Sequence, residues 1–216
     1  MKKSFSVFAT ILLFSASVVQ ADEIEWTDWQ EYGGDQAFGL LDDITVTYTG
    51  DYAFVQTGSG TNFWTENGDP APYTSSSTID NAPTASEMVA LDSSASHTIT
   101  FSEAILDPII AIVSLGRTNL PVSYTFDQNF AVLSSGVGYW GGSAGAYSLT
   151  GNTLTGYEFH GALQFDGLLT SISWSSSPDE YWHGITVGSV KVPEPSSLAL
   201  LGISLLGLAL VRRRAF

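Results

Sequence analysis

Glu158-Phe159-His160-Gly161-Ala162-Leu163-Gln164-Phe165-Asp166-Gly167-Leu168-Leu169-Thr170-Ser171-Ile172-Ser173-Trp174-Ser175 is the stretch that decides the fold class. Apolar and polar residues alternate on both sides of Asp166-Gly167, which is the period of a strand with one buried face. An Asp-Gly pair takes the positive φ that a two-residue hairpin turn requires. The spacing therefore predicts a hairpin pairing Phe165 with Leu168, Leu163 with Thr170, Gly161 with Ile172 and Phe159 with Trp174. One face would carry Phe159, Leu163, Phe165, Leu168, Ile172 and Trp174. The other would carry Glu158, His160, Gln164, Leu169, Ser171 and Ser173.

The same alternation recurs upstream. Ile44, Val46 and Tyr48 interleave with threonines, Thr49-Gly50-Asp51 marks a turn, and Ala53 to Thr57 reads as the returning strand. Val122, Tyr124 and Phe126 alternate before a turn at Asp127-Gln128-Asn129, with Phe130 and Val132 beyond it. A last strand is predicted from about Trp182 to Val190. No long segment between Asp22 and Lys191 carries a 3.6-residue period; Ser86 to Leu91 and Phe101 to Leu106 are short ambiguous runs. Many short strands punctuated by Gly, Asn, Asp and Ser predict an all-β fold, an antiparallel β-sandwich of jelly-roll type. Gly58 to Pro83, with Pro70, Pro72 and Pro83, is the candidate long loop.

Both ends of the 216-residue chain read as processing segments. Lys2 and Lys3 precede an apolar stretch from Phe5 to Val19, and Val19 and Ala21 suit the −3 and −1 positions of cleavage after Ala21. Residues 1–21 are thus predicted to be a signal peptide with a helical apolar core. At the other end, Val192-Pro193-Glu194-Pro195-Ser196-Ser197 precedes Leu198 to Val211, 14 residues without charge, and then Arg212, Arg213 and Arg214. The prolines make an extended spacer. The apolar run is predicted to form a hydrophobic helix, and the arginines hold its end on the cytoplasmic side. At 1.5 Å per residue it reaches roughly 21 Å, against about 30 Å of hydrocarbon, which suits temporary retention better than permanent anchorage. The domain order is therefore signal peptide 1–21, β-sandwich 22–191 and C-terminal tag 192–216.

The tag resembles the PEP-CTERM sorting signal: Pro193-Glu194-Pro195, a short apolar helix and a basic end, in that order. The resemblance implies processing by an exosortase near Pro193 to Ser196, after export through signal peptidase cleavage at Ala21. It also implies transient residence in the inner membrane of a Gram-negative bacterium, then delivery to the envelope or an exopolysaccharide matrix. No Leu-Pro-x-Thr-Gly sequence precedes the helix, as a Gram-positive sortase tag would need. An ordinary single-span tail is the alternative. The segments Phe101 to Gly116, Leu133 to Gly136 with Tyr139 to Gly141, and Tyr181 to Gly188 resemble the body of some PEP-CTERM proteins of unassigned function, which implies a fold and no activity.

Composition narrows the partners. Between Asp22 and Pro195 stand all 22 carboxylates and two cations, Arg117 and Lys191, leaving a formal charge of −20. Such a field repels nucleic acid and anionic lipid. With no cysteine, thiolate metal sites and thiol nucleophiles are excluded.

For a site, three histidines are available: His97, His160 and His183. Gly141-Gly142-Ser143-Ala144-Gly145 matches Gly-x-Ser-x-Gly, with Asp166 or Asp179 and His183 following in hydrolase order. A nucleophile elbow needs a helix next, and Ala146 to Asn152 is not one, so the string is read as a loop and no catalytic residue is assigned. His183, near Asp179 and Glu180, is the best single histidine. Asp42 and Asp43, or Glu66 and Asp69, offer oxygen ligands to calcium, although no Asp-x-Asp-x-Asp-Gly loop exists; no other cofactor is expected. Exposed Trp and Tyr rings match the C–H faces of sugars, so Trp64, Tyr139, Trp140, Tyr181 and Trp182 are the candidate glycan-binding residues. The expectation is a structural or polysaccharide-interacting protein that is not an enzyme. The alternatives are a secreted carboxylate-dependent hydrolase, or a membrane-tethered binding module whose tail stays uncut.

Overall fold

The computed structural model describes residues 23–191. Ala21, Pro193, Glu194, Pro195, Arg212, Arg213, Arg214 and both expected flanking helices lie outside the described residues. Among the described residues, no helix is long and apolar enough to cross a membrane.

The first strands are β1 (Ile24–Trp26), β2 (Asp28–Gly33), β3 (Gln36–Leu41), β4 (Ile44–Thr49) and β5 (Phe54–Gln56). After the long loop come β6 (Met88–Leu91), β7 (Ser96–Leu106), β8 (Ile109–Leu115), β9 (Val122–Phe126) and β10 (Phe130–Ser135). The last are β11 (Tyr147–Thr150), β12 (Thr153–Gly156), β13 (Phe159–Phe165), β14 (Leu168–Ser177) and β15 (His183–Val190). They form two antiparallel sheets. A seven-stranded sheet runs β10-β13-β8-β15-β6-β5, with β1 also against β15, and an eight-stranded sheet runs β11-β12-β9-β14-β7-β4-β3-β2. Pairing in the later half is nested: β6 with β15, β7 with β14, β8 with β13 and β9 with β12.

The sheets face each other over a core that includes Tyr48, Ile99, Ile112, Tyr124, Phe159, Leu163, Phe165, Ile172 and Trp174. Burial of these side chains supplies the main driving force for closing the sandwich, about 25 cal/mol per Å² of apolar surface. The alternation in β4, β9 and β14 is the one expected. In β8, β13 and β15, by contrast, almost every residue is buried. The reason is a second apolar cluster on the outer face of the seven-stranded sheet. There Trp64, Tyr73 and Ile79 of the long loop, with Ile24 and Trp26, cover Ala111, Val113 and Ala162. The Gly58 to Pro83 segment is a packed cover and not a free loop.

The expected hairpin at Asp166-Gly167 is corrected. Phe165 pairs with Phe130, and Leu168 pairs with Leu106 in the other sheet. The turn carries the chain across the core, and Gly167 (φ 97°) donates its N–H to the Asp107 carboxylate at 2.6 Å on the neighbouring crossing. Phe159, Leu163, Phe165, Ile172 and Trp174 all face inward as read, whereas Leu168 is 67% exposed. His160, assigned to a polar face, is fully buried, with Gly138 and Gly142 against its ring. Thr49-Gly50-Asp51 and Asp127-Gln128-Asn129 likewise join strands of different sheets instead of hairpin partners. Alternation fixes which face of a strand is buried. It does not say which strand lies beside it, because a turn with the same residues can double back within a sheet or arch over to the other.

Candidate functional site

At one end of the sandwich, four segments enclose a cleft of about 320 Å³, lined by Ser114, Gly116, Arg117, Trp140, Glu158, Glu180, Tyr181 and Trp182. This is at the small end of the range for ligand pockets. Its base is the end of β8, where Ser114 (φ 60°) and Gly116 (φ 66°) turn the chain, and Arg117 then closes a tight turn to Leu120 by reciprocal backbone hydrogen bonds of 3.0 Å.

The aromatic wall is built by a second tight turn. Gly138 and Gly141 exchange backbone hydrogen bonds of 2.7 and 3.2 Å, which leaves Tyr139 and Trp140 at the two corners. Gly138 is required there: a Cβ would run into the His160 ring. The long loop braces the turn from outside. Asn67 Nδ2 donates to the carbonyls of Gly138 (3.3 Å) and Tyr139 (3.2 Å). Phe63 stacks on Trp140 and meets Trp182 edge-on, with centroids 5.2 and 4.9 Å apart. Trp140 and Trp182 stand edge-to-face at 5.0 Å. Trp140 is 46% exposed and Tyr181 89%, so both present ring faces to solvent.

The two carboxylates of the cleft are held in the same way. Glu158 Oε1 accepts the Ser114 hydroxyl at 2.6 Å and lies 3.3 Å from Nε2 of buried His160. The His160 Nδ1 accepts the Ser114 N–H at 3.3 Å, which fixes the tautomer with the proton on Nε2, facing the carboxylate. Glu180 Oε1 accepts the Gly116 N–H at 3.1 Å and contacts Nδ1 of buried His183. In each case Oε1 points inward, and no hydrogen bond among the described residues uses Oε2. Glu158 adopts φ 79°, a conformation that costs a non-glycine residue of order 1–3 kcal/mol and is typical of functional positions. Arg117 is exposed and has no ion pair among the described residues, whereas Lys191 pairs with Glu23 and Glu25. The cleft can thus supply flat apolar faces, two hydroxyl-accepting carboxylate oxygens and one guanidinium donor.

Of the expected glycan-binding residues, Trp140, Tyr181 and Trp182 come together here. Tyr139 lies beside the cleft, edge-on to Phe63 at 5.1 Å. Trp64 is 1% exposed and packs edge-on against Tyr73 at 5.4 Å in the outer core, so it presents no face to a ligand. Sequence reasoning placed Glu158 on a polar sheet face and missed Ser114, Arg117 and Phe63. The isolation of Arg117 in so acidic a chain was a usable signal. The Gly141 to Gly145 string runs through a turn and is followed by β11, not a helix. Of the proposed calcium ligands, Glu66 is engaged by the N–H groups of Tyr73 (3.0 Å) and Thr74 (2.9 Å) and by the Thr74 hydroxyl. Among the described residues, no three His, Asp or Glu converge as a metal site.

Fold and site define a two-sheet, all-β protein with an aromatic and acidic cleft at one end of the sandwich. Residues 191–214 match the PEP-CTERM protein-sorting motif. That motif marks a sorted, exported protein processed by an exosortase and associated with the envelope. No curated protein and no solved structure matches the chain.

Proposed function

We propose that the protein is exported by a Gram-negative bacterium, freed from its N- and C-terminal segments, and delivered to the envelope or extracellular matrix, where it binds polysaccharide. Signal peptidase acts at Ala21 and an exosortase near Pro193 to Ser196, with the inner membrane a temporary station. The body is of jelly-roll type, a reading supported by the nested pairing and by the sheet orders β6-β15-β8-β13 and β7-β14-β9-β12.

The observation that carries the binding assignment is the placing of Trp140, Tyr181 and Trp182 on one cleft with Glu158, Glu180 and Arg117. Sugar rings offer apolar C–H faces ringed by hydroxyls. Stacking on the aromatics and hydrogen bonds to Oε2 of the two glutamates satisfy both features. The negative charge of the body repels nucleic acid. Retarded migration of the processed protein in native gels containing the producing organism's extracellular polysaccharide tests the assignment. Unchanged mobility across the concentration range would defeat it.

A secreted hydrolase is the second reading, favoured by two carboxylates on one cleft. Release of new reducing ends from the same polysaccharide, lost in Glu158→Gln and Glu180→Gln, would replace binding by turnover. Calcium has no assigned role in either reading.

A further inference from the structure

We infer that this cleft is one half of a longer groove, and that its ligand is an internal stretch of a saccharide chain instead of a single terminal sugar. The inference rests on the glycan-binding reading above. On the far side of Arg117 and Glu158 lies a second depression of about 460 Å³, lined also by Thr118, Gly142, Ser143, Ala146 and Tyr157. Arg117 and Glu158 line both depressions, so they form a shared bar with a binding surface on either side.

The second half repeats the chemistry of the first in reduced form. Tyr157, 36% exposed, offers one aromatic face, and Thr118 and Ser143 offer exposed hydroxyls. Gly142 (φ 86°) leaves its share of the floor as bare backbone, since a Cβ would come within 2.5 Å of the Glu158 carbonyl oxygen. The Gly-x-Ser-x-Gly string, which serves no nucleophile elbow, thereby has a use. It lets the chain lie flat against Glu158 and sets Ser143 at the groove wall.

The bar itself is equipped to hold a chain crossing it. The Arg117 guanidinium carries five donors and has no ion pair among the described residues, and Glu158 Oε2 is a free acceptor beside it. A hydroxyl on either side can therefore find a partner at the junction. A single ring occupies one depression and gains nothing from the other, whereas a chain laid over the bar gains both.

The test is calorimetric titration of the processed protein with size-graded fragments from a partial acid hydrolysate of the producing organism's extracellular polysaccharide. Affinity is expected to rise about tenfold or more from the shortest fragment that binds to the longer ones. Tyr157→Ala, and Ser143→Trp as an obstruction, should each abolish that rise while leaving the Kd of the shortest fragment within twofold. Equal affinity at all lengths, or equal weakening of short and long fragments by both variants, would overturn the groove and leave the first cleft standing. Absence of binding at every length would overturn the glycan-binding reading together with the groove.

Discussion

Phe63 lies flat on Trp140, with ring centroids 5.2 Å apart and 18° between the planes. The pair joins the long covering loop to the glycine-rich turn, and thereby couples the outer core to the wall of the cleft. A tryptophan at an exposed turn corner would otherwise sample several rotamers. Backed by Phe63 and flanked by Trp182, it is pre-oriented, which spares a ligand the cost of ordering it.

Two substitutions separate the face from its support. Trp140→Ala removes a half-exposed ring and should leave thermal stability nearly unchanged while weakening polysaccharide binding about tenfold, some 1.4 kcal/mol. Phe63→Ala leaves Trp140 in place without its backing, so a smaller loss is expected, together with a red shift in tryptophan emission. Titration by fluorescence reads both.

Glu158 combines strain with a ligand-facing carboxylate. At φ 79°, glycine fits better than alanine, so Glu158→Gly should be more stable than Glu158→Ala by about 1 kcal/mol in denaturant unfolding. Neither variant keeps Oε2, and both should lose binding equally. Binding retained by the alanine variant would show that the Glu158 carboxylate makes no contact with the ligand.

Trp64 is expected to behave in the opposite way to Trp140. It is buried in the outer core, and Trp64→Ala should cost about 3–5 kcal/mol of stability through the cavity it leaves. Well below its melting temperature, the variant should bind polysaccharide with unchanged affinity.

These contrasts mark what the sequence reveals and where it stops. Period two in Ile44 to Thr49 and Val122 to Phe126 identifies strands and their buried faces, because that pattern is set by local geometry. The partner of each strand depends on contacts distant in sequence, and Asp166-Gly167 has the residues of a hairpin turn while serving as an arch. The long loop hid a core: Trp64, Tyr73 and Ile79 are spread among prolines, serines and threonines, with no period to reveal them. At the cleft, Trp140 was legible as an aromatic in a glycine-rich stretch, and Tyr181 and Trp182 as aromatics near a strand start. Glu158 was not, since its positive φ and its lodging between Ser114 and His160 arise only when β8 and β13 pair.

The inner core predicts an acid response. His97 lies between Tyr48 (Nδ1 to hydroxyl, 2.7 Å) and Ser176 (Nε2 to hydroxyl, 2.8 Å), with Trp174 tilted against it at 5.2 Å. Burial first, and nearby His183 second, lower its pKa from 6.5 to about 4. The unfolded chain therefore binds a proton at higher pH than the folded one. The corresponding stability is complete above about pH 6.5 and is lost as pH falls toward 4, by at most about 3 kcal/mol. Urea unfolding at pH 7 and pH 4.5 should show the loss, and His97→Gln should reduce it.

The most direct measurement is the intact mass of the protein recovered from the producing organism's matrix, envelope and membrane fractions. A form beginning at Asp22 and ending near Pro195, found with the extracellular polysaccharide, is the predicted result. A form that keeps Leu198 to Phe216 and is confined to the membrane fraction would contradict delivery to the matrix and make the tail a simple anchor.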